Sequence, residues 1–373
     1  MQSTGYLIQP PRATMRPMFA VVDAHNHLWG DWNVKAVVRT MNAAGVACYC
    51  DLTANARVRW ADGGYVLTPG RLEEFFQQCV RRYQRRFYGF TMATFAGPAN
   101  RPLFSDARLF ARQTVELFRQ HVAMGARGLK ITKELGLHFR DAGGKLVNLD
   151  DARLAPIFDA AAAMGVPVLM HQSDPVGFFE PVTPENEHYE SLKKYPSWSF
   201  ADPKFPRKRE LMRRRDRVVR RHPQTTFILP HVANYPENLQ YVSRLLDENP
   251  NVYIDFSARM DELGRQPHAA RKFFIRHQDR ILFGTDMPAG QAASVEMYSC
   301  YYRFLETFDD CFYPPDYDGT FDRHRWAICG LGLPKAVLAK IYYKNALKII
   351  PGLRGDYQKA AAGLAARERK GAS

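Results

Sequence analysis

Eight short apolar runs, separated by stretches of helical pattern, constrain this chain more than any other feature of its sequence. They are Phe19-Ala-Val-Val-Asp-Ala, Val46-Ala-Cys-Tyr-Cys-Asp-Leu, Phe87-Tyr-Gly-Phe-Thr-Met-Ala, Arg127-Gly-Leu-Lys-Ile-Thr, Pro167-Val-Leu-Met-His, Thr225-Thr-Phe-Ile-Leu-Pro-His, Asn251-Val-Tyr-Ile-Asp-Phe and Arg280-Ile-Leu-Phe-Gly-Thr-Asp. Most are apolar along their whole length rather than alternating, which is the pattern of parallel strands covered on both faces. Helix-like stretches fall at 34–44, 70–85, 105–124, 150–164, 207–222, 236–248 and 267–278, and another runs from Lys335 to Ile350. Asp150-Asp151 and Gly165-Val-Pro supply start and stop signals around one of them. Repeated strand–helix alternation predicts an α/β fold, a (β/α)8 TIM barrel, with an open doubly wound sheet as the alternative. The 373 residues do not demand a second domain, because one barrel can use about 250 or more. The expected organisation is an N-terminal extension over 1–18, a barrel domain over 19–355 and a flexible tail over 356–373, which is polar and Ala-rich.

Two connections are too long to be simple turns. Residues 173–206 follow the fifth strand and residues 287–333 the eighth, so both leave strand C-termini, where barrel enzymes build their sites. They read as active-site walls or as packing insertions. The aromatic-rich 298–317 stretch is either a homodimer interface or a cover for its own barrel. No 18-residue apolar run and no secretory h-region occur, so no membrane association is expected. Cys48, Cys50, Cys79, Cys300, Cys311 and Cys329 form no CxxC pair and read as reduced, mostly buried thiols of a cytoplasmic protein.

The sharpest chemical signal is Asp23-Ala-His25-Asn-His27 at the end of the first strand. Residues two apart in a strand share a face, with Cα atoms roughly 6.6 Å apart, so both imidazoles can converge on one ion. The fifth run ends in His171, the sixth in His231 and the eighth in Asp286. In a barrel these strand ends form one ring, and a mixed N/O ligand set suits Zn2+ and also accepts Mn2+, Fe2+ or Co2+. Asp23 reads as a supporting or packing residue on the histidines' face, deeper in the strand.

With these motifs the sequence resembles the amidohydrolase superfamily, most closely its amidohydrolase-related branch, which includes aminocarboxymuconate-semialdehyde decarboxylase and the resorcylate decarboxylases alongside hydrolases. Val22-Asp-Ala-His-Asn-His27, Gly125-Ala-Arg-Gly-Leu-Lys130, Pro167-Val-Leu-Met-His171, Phe227-Ile-Leu-Pro-His231, Arg280-Ile-Leu-Phe-Gly-Thr-Asp286 and Tyr343-Lys-Asn-Ala-Leu carry the resemblance. It implies that His25, His27, His171 and Asp286 ligate one divalent ion, with His231 beside it and Asp286 also accepting a proton. Lys130 lies near the position where binuclear relatives carry a carboxylated lysine. It would either bridge a second ion, with His171 and His231 serving that ion, or contact an anionic substrate.

The leading expectation is a metal-dependent hydrolase that activates water on the ion to cleave an ester, lactone or amide of a small, anionic or neutral substrate. The alternative is non-oxidative decarboxylation of an aromatic or unsaturated carboxylic acid at the same site. Arg259 and Trp198 are candidate substrate contacts, with Glu262, Lys133, Glu187 and His188 as weaker ones. No Walker-type loop, nucleophile elbow or Rossmann glycine triplet is present.

The formal net charge of +14 raises a nucleic-acid partner as a question. Half of it lies in residues 207–221, which hold nine basic and two acidic residues, and Leu211, Met212, Val218 and Val219 there form an apolar stripe that would seat the helix. A second basic run occupies 81–86, on a different helix. Two separate patches on an outer wall make no continuous track, so the charge is expected to face water and no nucleic-acid partner is expected.

Overall fold

In a computed structural model, the described residues are 14–29, 33–61, 64–99, 101–288, 294–315 and 326–371. All eight apolar runs become strands of one parallel barrel. In chain order the strands are β1 (Val21–His27), β2 (Val46–Asp51), β3 (Ala56–Ala61), β4 (Gly64–Pro69), β5 (Phe87–Gly89), β6 (Leu129–Ile131), β7 (Val168–Met170), β8 (Phe227–Leu229), β9 (Val252–Asp255), β10 (Ile281–Leu282) and β11 (Met287–Pro288). Hydrogen-bonded neighbours run β11-β1-β2-β5 and β10-β9-β8-β7-β6, all parallel. A parallel bridge between Thr91 and Leu129 joins β5 to β6. At the other seam Ala24 N–H donates to Phe283 O at 2.9 Å and Asp286 N–H to His25 O at 2.7 Å. With both seams bonded the sheet has no open edge, which excludes the doubly wound alternative.

The principal helices are α1 (Val34–Ala44), α2 (Ala107–Met124), α3 (Ala155–Ala163), α4 (Lys208–Arg221), α5 (Leu239–Glu248), α6 (Pro267–Arg276), α7 (Val295–Glu306) and α8 (Leu353–Gly371). In α7 the residues Tyr298, Tyr301, Tyr302 and Phe304 are fully buried in the core, so this part of the aromatic stretch covers its own barrel, whereas Phe308 and Tyr313 beyond it are exposed. Residues 289–293 and 316–325 of the long eighth connection lie outside the described residues, as do residues 1–13 of the N-terminal extension.

Three expectations need correction. The tail beyond 356 is not flexible through its described length. Leu353, Tyr357, Ala360 and Leu364 lie on one helical stripe and are buried among Val22, Cys48, Leu169 and Leu282, the lower interior of the barrel. Tyr357 Oη donates to Ala20 O at 2.7 Å, just before β1. The alanine-rich composition hid an apolar spacing that is sufficient to dock a helix.

Second, the basic helix does not simply turn its charge to water. Its stripe is buried as expected, but so are Lys208 and Arg215. Arg215 pairs with Asp216 at 2.7 Å and donates to Ala233 O, while Arg214 and Arg217 both hold Asp150, at 3.0 and 2.7 Å. In the other basic run, Arg86 donates to the carbonyls of Val46 and Ala47 at 2.9 and 2.7 Å. Arg207, Arg209, Arg213, Arg220 and Arg221 do face water as expected, whereas Lys208, Arg215 and the half-buried arginines fasten the helix.

Third, Asp23 does not share the histidines' face. The register between β1 and β2 shifts between Asp23 and Asn26. This irregularity turns Asp23 to the outer wall, where it accepts from Thr285 Oγ1 at 2.6 Å and Tyr298 Oη at 2.8 Å. Burial pushes its carboxyl up to about 6, against those hydrogen bonds.

Candidate metal centre

The ends of β1, β8, β9 and β10 bring a buried cluster of imidazoles and carboxylates to the C-terminal mouth of the barrel. Ligand atoms of His25, His231 and Asp286 all lie within 4.8 Å of one another. Asp286 Oδ1 stands 3.1 Å from His27 Nε2 and 3.4 Å from His25 Nε2, and its Oδ2 is 3.7 Å from His231 Nε2. His171 reaches the same pocket, with its ring 4.6 Å from that of His231, but its Nε2 is turned to Asp174 Oδ1 at 3.3 Å. Asp174 in turn receives Lys133 Nζ at 2.5 Å. Asp286 thus touches His25, His27 and His231, while His171 shares the pocket but is engaged by Asp174.

The backbone at these exits is unusual. His231, Val232, Ala233 and Asn234 have φ of 58°, 56°, 52° and 56°, Asp286 has 57°, Ala258 has 50° and Trp29 has 51°. Left-handed conformations cost a non-glycine residue on the order of 1 kcal/mol or more, so the strand exits are held there by their surroundings. Asp255, at the end of β9, supplies much of that hold. Its Oδ1 accepts from His231 N–H at 3.1 Å, from Ser257 N–H at 3.1 Å and from Ser257 Oγ at 2.6 Å. Its Oδ2 accepts from His25 Nδ1 at 2.8 Å. Gly284 completes the packing, because a Cβ there would come within 2.8 Å of His25 Cβ.

These contacts set protonation. Burial, with Arg259 and His171 nearby, holds His231 well below the ordinary imidazole range, and its Nδ1 donates to Ser257 O at 2.8 Å. Burial brings His27 down to about 4. Burial opposes charge on Asp286, yet His25, His27 and His231 keep it well below the ordinary carboxylate range. Lys130, fully buried on β6, is lowered to about 8 by burial, against the pull of Asp286 and Asp255. The chain's response to a metal can be tested on two atoms. His25 Nε2 and His231 Nε2 are buried with no hydrogen-bond partner, and both face ionised Asp286. An orphaned lone pair of this kind is costly in an interior and is satisfied by a cation, so the residues fit a divalent ion.

A cavity of about 240 Å³ opens above the cluster. Trp29 and Tyr65 stack with ring centroids 5.8 Å apart on one side, and Phe178 and Trp198 lie at 6.3 Å on another. Lys130, Lys133, Arg259 and Glu262 also line it, with Glu187 and His188 at the rim. Burial raises Glu262, while Glu187 is lowered to about 2 by His188 and Arg265. Of the two readings of the loop 173–206, the cavity favours a wall, since Asp174, Phe178, His188 and Trp198 line it. The hairpin β3–β4, which carries Tyr65 and Leu67, forms another that the sequence reading missed, although Asp62-Gly-Gly between two β-branched and aromatic runs is a hairpin signal. Asp255 was also missed. Its position at a strand end, in the same ring as His231 and Asp286, was the available clue.

Fold and mouth together define a TIM-barrel enzyme that works on a small molecule at its strand ends. Residues 22–352 match the family model described as Amidohydrolase, and the chain belongs to that family, whose members use divalent metals. Three solved structures illustrate the fold. An uncharacterised TIM-barrel protein from Bordetella bronchiseptica is 13% identical, over 92% of this chain and 100% of that chain, with a TM-score of 0.52. A dihydroxybenzoic acid decarboxylase from Polaromonas, with bound manganese and the inhibitor 2-nitroresorcinol, is 16% identical over 89% and 97%, with a TM-score of 0.51. A 2,6-dihydroxybenzoate decarboxylase from Rhizobium is 14% identical over 89% and 98%, with a TM-score of 0.52. At these identities the likeness is one of fold. No curated protein sequence matches the chain significantly. Among the described residues no helix is long and apolar enough to cross a membrane.

Proposed function

We propose that the chain is a divalent-metal-dependent decarboxylase of a small aromatic or unsaturated carboxylic acid, the second of the two reactions its sequence suggests. The observation that carries this reading is the lining of the cavity. Two cations, Lys130 and Arg259, stand beside the His–Asp cluster within walls of Trp29, Tyr65, Phe178 and Trp198. A flat anion matches both features, since aromatic faces bury its ring and the cations offset its charge. The decarboxylases among the structures of like fold agree with it.

His25, His27, His171 and Asp286 would hold the ion, with His171 exchanging Asp174 for it, and His231 would stand beside it. When bound, the ion supplies positive charge that orients the carboxylate and a neighbouring oxygen. Arg259, whose buried Nε has no partner, offers a charge-assisted hydrogen bond to the acid. His231 is neutral and pinned at Nδ1, so its Nε2 is available to take a proton and return one to carbon as CO2 leaves. Asp286 is the second proton carrier.

Hydrolysis of an ester, lactone or amide remains a second reading, because the same free Nε2 and ionised Asp286 could take a proton from water. Metal-replete protein offered panels of hydroxybenzoates and of lactones, esters and amides separates the two. CO2 release from the first panel is expected, and acid release from the second with no CO2 from the first would replace decarboxylation by hydrolysis. Metal analysis is expected to give one equivalent per chain. Two equivalents would assign Lys130 to a bridging role instead of a substrate contact.

A further inference from the structure

Beyond α7 the chain makes a short antiparallel pair at the cavity rim. Phe312 N–H donates to Ile328 O at 2.9 Å and Ile328 N–H to Phe312 O at 2.8 Å. A reciprocal pair of this kind sets the residues one step outward, Cys311 and Cys329, across from each other with no backbone hydrogen bond between them, where Cα atoms are about 4.5 Å apart. Cys329 N–H turns the other way, to Gly264 O at 3.0 Å. A Cα separation of roughly 4.4–6.8 Å is what a disulfide requires. The side chains follow the backbone closely enough that the Cys329 thiol adds to burial in pushing the Cys311 thiol up. Both are half-buried, whereas Cys48, Cys50, Cys79 and Cys300 are buried.

We infer that Cys311 and Cys329 form a reversible disulfide, made by exchange with a small disulfide of the glutathione class, that ties together the two segments carrying Pro314 and Trp326 at the cavity wall. One cysteine thiolate attacks the small disulfide and expels a small thiolate, leaving a mixed disulfide. The second cysteine thiolate then attacks the first cysteine's sulfur and expels the other small thiolate. Two electrons pass from the cysteine pair to the small disulfide, and the two thiol protons end on the two small thiols released. Burial, Cys329 and Asp310 push the Cys311 thiol up, which makes it a poor leaving group and favours persistence of the bond once formed. The cross-link would brace more than its own loop. Trp326 lies 3.8 Å beneath the Arg265 guanidinium, which pairs with Glu187 at 2.9 Å in the wall that follows β7.

The test uses the full chain, equilibrated with oxidised glutathione and then mapped by peptide mass without reduction. The expected product is a single species lighter by two hydrogens and joined through Cys311 and Cys329, melting about 5 °C above the reduced protein. Cys311→Ser and Cys329→Ser should each lose both the link and the shift. Complete alkylation of both thiols after that incubation, or a separate glutathione on each, would overturn the inference.

Discussion

Asp255 holds His25 by its Nδ1 at 2.8 Å, and this one contact decides which nitrogen of His25 faces the cavity. An ionised carboxylate can only accept, so Nδ1 carries the proton and Nε2 presents a lone pair toward Asp286. Burial opposes charge on Asp255, but His25 and the hydrogen bond from Ser257 keep its carboxyl well below the ordinary range. Asp255→Asn can donate to Nδ1 and stabilise the other tautomer. Metal affinity, read by competition with a chelator, is expected to fall about 10–100-fold while the melting temperature changes little.

The same cluster predicts the effect of stripping metal. Chelation should abolish turnover and lower the melting temperature, with both restored by readdition, because the orphaned Nε2 of His25 regains a partner. His25→Ala should hold less than a tenth of the metal of the native chain. Unchanged metal content in that variant would remove the assigned centre.

Lys208 gives a pH dependence that does not involve the candidate ligands. Its ammonium donates to Asn234 O at 2.6 Å, to Ser173 Oγ at 3.4 Å and to Asp174 O, so it ties the exits of β7 and β8 to α4. Burial lowers its pKa to about 8, below the unfolded value. The folded chain therefore binds fewer protons than the unfolded chain between about pH 8 and 10.5, and stability rises with pH across that window. Relative to Lys208→Met, the native chain should gain about 2 kcal/mol between pH 7 and 9.5, as measured by urea unfolding.

Within α4 the charges should differ sharply in weight. Arg215→Ala leaves Asp216 and Ala233 O buried without their partner and is expected to cost about 3–5 kcal/mol. Exposed Arg209→Ala should stay within about 0.5 kcal/mol. Equal effects in urea titrations would mean that the buried pair does not fasten the helix.

The barrel was legible because most strands are short apolar runs that end in a polar, ligand-type residue, as in Val-Leu-Met-His171 and Phe-Ile-Leu-Pro-His231. Period and strand ends are local properties, and a sequence displays them. Asp255 was hidden because its importance lies in touching His25 across the barrel, a relation set by closure rather than by spacing. The rotation of His171 toward Asp174 was equally invisible, since it depends on Lys133 reaching that carboxylate. Arg215 looked like its exposed neighbours because burial of a charge in so basic a helix depends on Asp216 and on the carbonyl that the left-handed turn at Ala233 presents.

The hydrogen bond from Tyr357 to Ala20 joins residues 337 positions apart and seats α8 against the first strands made. Without α8 the lower interior around Val22, Cys48 and Leu169 would face water. The helix at the foot of the barrel is therefore what keeps a sticky apolar surface from being offered to other chains.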